Sequence, residues 1–144
     1  MTTLTIDISH ADTPAKLERC HPVVFQLRPH LSLTEFVARV LRQAHEGYRL
    51  MYAEIAGQVI AVAGYRIQET LAWGRLLYVD DLVTDEAWRS QQVGSALFDS
   101  LVHIAKENEC RELHLDSGVQ RFGAHRFYLA KRMDITCHHF AMKL

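Results

Sequence analysis

Apolar positions along the chain follow the strand period in some stretches and the helix period in others, and each change of period marks an element. Leu4, Ile6 and Ile8 alternate with polar residues, which predicts a half-buried opening strand. Asp12 or Thr13 is placed to cap a helix with Pro14 in its first turn, where a missing N–H does no harm, and Pro22 limits or kinks that helix. Ser32-Leu33-Thr34-Glu35 has capping-box spacing ahead of Phe36, Val37, Val40 and Leu41, so a second amphipathic helix follows and ends before Gly47. Residues 48–55 and 59–67 read as a hairpin about Ala56-Gly57-Gln58, and residues 76–84 as a strand rich in β-branched and aromatic side chains. Val93, Leu97, Leu101 and Ile104 recur at helical spacing, with Ala96 and Ala105 widening the stripe. They predict the longest helix, ending near Asn108, a residue that tolerates left-handed geometry. A strand at 112–116, a short helix at 124–131 and a terminal strand at 135–144 complete the order β-α-α-β-β-β-α-β-α-β.

The stretch Arg89-Ser90-Gln91-Gln92-Val93-Gly94-Ser95-Ala96-Leu97 joins an apolar strand to the longest helix. The first amides of a helix have no intrahelical acceptors and the helix dipole is positive there, so an anion, above all a phosphate, is the natural ligand. Gly94 lets the backbone approach such a ligand, Ser95 and Ala96 keep the next turn narrow, and Arg89 offers a charge-assisted contact. Taken alone, the same stretch is also an ordinary strand-to-helix turn. The order Gln91-x-x-Gly94-x-Ala96 resembles the Q/R-x-x-G-x-G/A signature of the GNAT N-acetyltransferase superfamily.

That resemblance implies an α/β fold of the acyl-CoA N-acyltransferase (GNAT) type, a mixed twisted sheet of six to seven strands with about four helices on both faces. It covers almost the whole chain and implies a single domain over 1–144. It also implies that Arg89, Gln91, Gln92, Val93, Gly94, Ser95 and Ala96 cradle the pyrophosphate of acetyl-CoA, the acyl donor. The backbone of Leu82 and Val83 then bonds the pantetheine arm as an added strand would, and the first two helices roof the acceptor pocket. Relatives often have glycine where Gln92 stands; if the position needs a positive φ, glutamine costs roughly 1–2 kcal/mol there.

Composition narrows the partners. A chain of 144 residues with 49% hydrophobic and 23% charged residues is one ordinary globular domain, and its net charge of −1 gives no reason to expect nucleic acid or an anionic membrane. Cys20, Cys110 and Cys137 are odd in number and far apart, which predicts reduced thiols and no metal site. The first residues lack a basic, then apolar leader, and no run approaches the roughly 18 apolar residues of a membrane span, so a cytoplasmic protein is expected. Homodimers are common among the relatives, and a homodimer is the assembly the resemblance suggests.

Acetyl transfer to an amine needs a neutral amine, a donor for the carbonyl oxygen as it gains charge, and a proton for the leaving thiolate. Ala124-His125-Arg126-Phe127-Tyr128 resembles the family's A-x-x-F-Y element, which implies that the Tyr128 phenol lies near the coenzyme sulfur as general acid; the plainer reading is a core aromatic. Two departures accompany it: Arg132-Met133 replaces a usual Gly-Phe, and Arg121 replaces a frequent asparagine. Asp80 and Asp81 are adjacent on a strand and expected on opposite faces, so only one should face the cleft. By the resemblance, an acid at this spacing accepts the amine's proton through water, with Asp80 the first candidate and Asp81 the alternative; a solvated strand end or a salt bridge is the other reading.

His114 and Asp116 can share one strand face and are candidate acceptor contacts, whereas His138 and His139, being adjacent, cannot easily share an ion. Trp73 and Trp88 read as packing residues. Arg121 and Arg126 flank the start of the short helix and favour an anionic group on the acceptor, unless they serve the coenzyme phosphates or surface salt bridges. The A-H-R-F-Y-L run and the closing H-x-F-x-x-K-L are also similar to aminoalkylphosphonate N-acetyltransferases, which implies a small primary amine bearing an acidic group. The expected activity is acetyl-CoA-dependent N-acetylation of a small-molecule amine by direct attack in a ternary complex. A coenzyme A-binding regulatory domain is the competing reading. A nucleotide-phosphate binder of another fold is disfavoured, because the P-loop lysine and the G-x-G-x-x-G fingerprint are both absent.

Overall fold

The structure, a computed structural model, describes residues 4–144. These fall into two compact units with the boundary between His114 and Leu115. The first holds β1 (Asp7–His10), α1 (Pro14–Leu27), α2 (Leu33–Ala44), β2 (Arg49–Ile55), β3 (Gln58–Thr70), β4 (Gly74–Thr84), α3 (Val93–Glu107) and most of β5 (Glu112–Leu115). The strands form one sheet in the order β1-β2-β3-β4-β5, antiparallel from β1 through β4. The Arg111 N–H donates to the Arg75 carbonyl at 2.8 Å, where β4 and β5 both begin, so these two run the same way. The mixed sheet is the expected architecture with five strands in place of six to seven.

Local chemistry explains the element ends. Thr13 caps α1 with Pro14 following it, and Ser32 caps α2 by accepting from the Glu35 N–H at 3.2 Å. The capping box is half formed, because the Glu35 carboxylate turns to Arg39 at 2.7 Å instead of reaching back. Pro22 does not end α1, which continues to Leu27. Ala56 and Gly57 both take positive φ, 50° and 81°, the two-residue turn that suits a right-twisted hairpin. At the end of α3 the left-handed residue is Glu109 (φ 59°), one position beyond the expected Asn108 (φ −95°). Glu109 N–H bonds Lys106 O and Cys110 N–H bonds Ala105 O, the paired bonds of a Schellman end.

Alternation along the strands sorts the sheet into two faces. Leu50, Tyr52, Val62 and Val83 join Leu17, Val24, Phe36 and Val40 of α1 and α2 in one buried cluster. The opposite set, through the pairs Met51–Ala63 and Ala61–Thr84, lies under α3, whose Val93, Leu97, Phe98 and Leu101 are buried. Each fully buried leucine contributes about 1.5–3 kcal/mol of transfer free energy.

The second unit contains α4 (Phe122–Ala130). Met133 N–H bonds Tyr128 O at 3.1 Å and Arg132 N–H bonds Leu129 O at 3.0 Å, again a Schellman end, with Arg132 at φ 67°. Glycine is usual here because the position is left-handed, and arginine takes it at a cost of roughly 1–2 kcal/mol. Residues 135–144 form no strand: Ile135, Phe140 and Met142 are exposed, and alternation yields a strand only where a neighbouring edge completes its ladder.

Candidate active site

A cavity of about 400 Å³ opens on the α1–α2 side of the sheet, and both Asp80 and Asp81 line it. Gly64 of β3 pairs with Asp81, while the next residue, Tyr65, pairs with Val79, so β4 carries one extra residue between them. This is a β-bulge, and it turns two consecutive side chains to the same side. The expectation that only one of the two carboxylates faces the cleft is thereby corrected: strict alternation fails at the bulge, and the cavity holds both.

Each carboxylate is held differently. Arg66 on β3 donates Nε to both oxygens of Asp80, at 3.2 and 3.0 Å, and its Nη2 donates to Gln43 Oε1 of α2 at 2.9 Å. The Tyr48 hydroxyl donates to Asp81 Oδ2 at 2.6 Å, and Arg28 Nε donates to Asp81 Oδ1 at 3.0 Å while its Nη2 reaches the Asp80 carbonyl at 3.2 Å. Tyr48 reaches this far because Gly64 has no side chain: a Cβ there would lie 1.8 Å from the Tyr48 hydroxyl oxygen. Gly64→Ala is accordingly expected to lower stability by about 1–3 kcal/mol in thermal unfolding, the range for overpacking. An unchanged melting temperature would remove Tyr48 from its seat over Gly64.

Burial pushes the Asp80 carboxyl above its ordinary value, and the opposing attraction of Arg66 does not overcome it. Arg66 is itself held more firmly charged by Asp80. A carboxyl with a raised native value stabilises the fold only in acid, below its unfolded value of about 3.9, and loses that contribution as pH rises through the raised value. Burial thus works against the charged form of Asp80 while Arg66 favours it. Tyr48 is raised well above its ordinary value, first by burial and then by the charge of Asp81, so it stays protonated and donates.

At the far end of β4, Asp85 caps a short 3-10 turn, Glu86–Trp88, and its N–H bonds the Ile60 carbonyl at 2.8 Å. Ser90 (φ 69°) and Gln92 (φ 61°) are both left-handed, so the position where relatives have glycine does need a positive φ. The first helical bond of α3 runs from Ala96 N–H to Gln92 O, placing the Val93, Gly94 and Ser95 amides ahead of the ladder, and no side chain of Gln92 caps them. Gly94 has a second reason to be glycine: a Cβ would stand 3.0 Å from Thr84 Oγ1, so the helix can sit close on β4. Gln91 and Arg89 are exposed, with Arg89 Nε 3.4 Å from the Thr84 carbonyl. The four-residue β5 begins beside Arg75 and is shorter than the eleven-residue β4, so the outer edge of Leu82 and Val83 extends past it. These features fit a diphosphate at the α3 amides and an extended chain along β4.

His114 bonds Glu112 at 3.1 Å, and its ring packs against Trp73 at 4.4 Å between centroids with the planes tilted by 47°. In the second unit Asp116 lies beyond the end of β5, where the alternation that would align it with His114 no longer applies, and it pairs with His139 at 3.1 Å. Arg121 precedes α4, its N–H bonded to the Gly118 carbonyl at 3.0 Å. Tyr128 is buried, and burial raises its phenol above the ordinary value against the opposing charge of Arg121. The sequence reading missed Tyr48, Arg28 and Arg66; the one trace they left was Gly64, a glycine inside an apolar strand run.

The family model described as Acetyltransferase (GNAT) family matches residues 12–133. The chain belongs to that family and is an N-acetyltransferase whose acyl donor is acetyl-CoA. An uncharacterized N-acetyltransferase of Bacillus subtilis (strain 168), YhdJ, is 29% identical over 112 residues, 77% of this chain and 79% of that protein. Among solved structures, the aminoglycoside N-acetyltransferase AAC(6')-Iy in complex with CoA superposes with a TM-score of 0.85 at 15% identity, covering 99% of this chain and 97% of that one. Glucosamine-6-phosphate N-acetyltransferase from Arabidopsis thaliana gives 0.78 at 20% identity, covering 96% and 98%. No helix among the described residues is long and apolar enough to cross a membrane.

Proposed function

We propose that the chain acetylates the primary amine of a small molecule by direct attack in a ternary complex, and that the cavity over Asp80 and Asp81 receives the amine. The observation that carries this is the half-buried carboxyl pair at the bulge, one member of it raised in pKa, inside a cavity of about 400 Å³. Asp80 accepts the amine's proton, directly or through one water, with Asp81 the alternative. The freed amine forms the N–C bond as the C–S bond of the thioester breaks, the nitrogen gives up its remaining excess proton to solvent water to become the amide, and the Tyr128 O–H donates to the departing sulfur. The Arg89, Gln91, Gln92, Val93, Gly94, Ser95 and Ala96 turn holds the pyrophosphate, Leu82 and Val83 bond the pantetheine arm, and His114, Asp116 and Arg121 are further candidate acceptor contacts. The acceptors named for the two solved relatives, an aminoglycoside and glucosamine-6-phosphate, are small molecules, which supports the same scale of acceptor here.

Thiol release from acetyl-CoA over a broad amine panel tests the reading. Release with some amine is expected, and coenzyme binding without release on every amine would favour a regulatory domain. Asp80→Asn should reduce kcat/KM in that assay and recover in part at higher pH, where free amine forms without a base. A loss equal at every pH would point to geometry instead of proton transfer.

A further inference from the structure

We infer that the acceptor is an amine carrying its own acidic group on an apolar body, and that Arg28 takes the acidic group. The inference rests on the reading that this cavity receives the amine. Three guanidinium groups, Arg28, Arg39 and Arg66, and two carboxylates, Asp80 and Asp81, line it, and Arg39 is paired with Glu35, so the carboxylates are matched by guanidinium groups and leave no negative excess. A site built for a polycation would carry such an excess.

The two cations on the carboxyl pair are not equivalent. Arg66 is tied to both oxygens of Asp80 and to Gln43, and its guanidinium lies 5.4 Å from the centre of the Tyr48 ring. Its side chain is 24% exposed. Arg28 is 40% exposed and stands at the C-cap of α1. It spends two of a guanidinium's five N–H groups, on Asp81 Oδ1 and the Asp80 carbonyl. An ammonium arriving at Asp81 without an anion meets this guanidinium as a like charge. An acceptor with its own carboxylate or phosphonate keeps Arg28 paired through its remaining N–H groups, in the fork geometry that suits such anions, while its amine reaches the carboxyl pair. Leu31, Phe36, Val40 and Val62 give the remaining wall an apolar character, which suits a hydrocarbon body.

The test uses matched pairs that differ only in the acid: leucine against isopentylamine, phenylalanine against 2-phenylethylamine, and 3-aminopropylphosphonate against propylamine, with spermidine as the polycation. Wild type is expected to favour acid-bearing members by roughly 10–100-fold in kcat/KM, the range for a hydrogen bond to a charged partner. Arg28→Ala should bring the ratio close to one, and Arg28→Lys should leave it between the two. Melting temperatures of both variants separate lost recognition from lost folding, and the lysine variant decides if the alanine variant does not fold. A wild-type ratio near one, a preference for spermidine, or a ratio untouched in a folded Arg28 variant would overturn the inference. Calorimetric binding of the same pairs in the presence of coenzyme A separates the two readings. Absence of turnover on every amine sinks the proposed activity, yet binding of the acid-bearing members that is lost in Arg28→Ala still supports the anion site, and equal or absent binding overturns it.

Discussion

Acetyl-CoA at a hundredfold excess over its Kd is expected to stabilise the wild-type chain by about 2.7 kcal/mol, a rise of roughly 5–10 °C in Tm for a domain of this size. Gly94→Val should abolish that rise, since its side chain would enter the space proposed for the pyrophosphate. The variant carries a second effect that must be separated. A Cβ at position 94 meets Thr84 Oγ1 at 3.0 Å, so the unliganded protein should melt lower as α3 is pushed from β4. Adding Thr84→Ala removes the obstructing oxygen and should recover part of the unliganded Tm without returning the response to acetyl-CoA. The two readouts then part: packing follows Thr84, and ligand binding follows residue 94 alone. An undiminished response in Gly94→Val would place the phosphates elsewhere.

What could be read in the sequence is what depends on neighbours in the sequence. Thr13 and Ser32 cap the helices they were expected to cap, because each bond spans three residues. The Ala56-Gly57 turn and the amphipathic stripe of α3 were legible for the same reason. The left-handed position at the end of α3 was displaced from Asn108 to Glu109, a difference that propensity alone does not resolve. The bulge at Asp80 was not legible, since it is a property of the register between β3 and β4 and not of either strand. Alternation along β4 therefore pointed one carboxylate away from a cavity that both share. Arg28 and Arg66 were hidden likewise, lying 53 and 14 residues from the carboxylates they bind. Residues 135–144 show the converse: a good local pattern forms no strand without a neighbouring edge.

Tyr128→Phe is expected to lower kcat by about tenfold to a thousandfold with little change in coenzyme affinity, as loss of a donor used in the transition state requires. The ring still fills its buried position, so Tm should move little. Burial raises the phenol above its ordinary value, whereas a thiol of the cysteine type ionises at about 8.5. Complete proton transfer from this phenol to a departing thiolate runs uphill, so the O–H contributes most as a hydrogen-bond donor to sulfur while charge develops there. Turnover should accordingly hold through the pH range in which a thiol ionises and fall only where the phenol does, above about 10. An alkaline fall in kcat centred below pH 9 would assign that limb to another group. Should kcat survive in Tyr128→Phe while Tm drops, the residue is a core aromatic, and the leaving sulfur must be met by a donor outside the A-x-x-F-Y element.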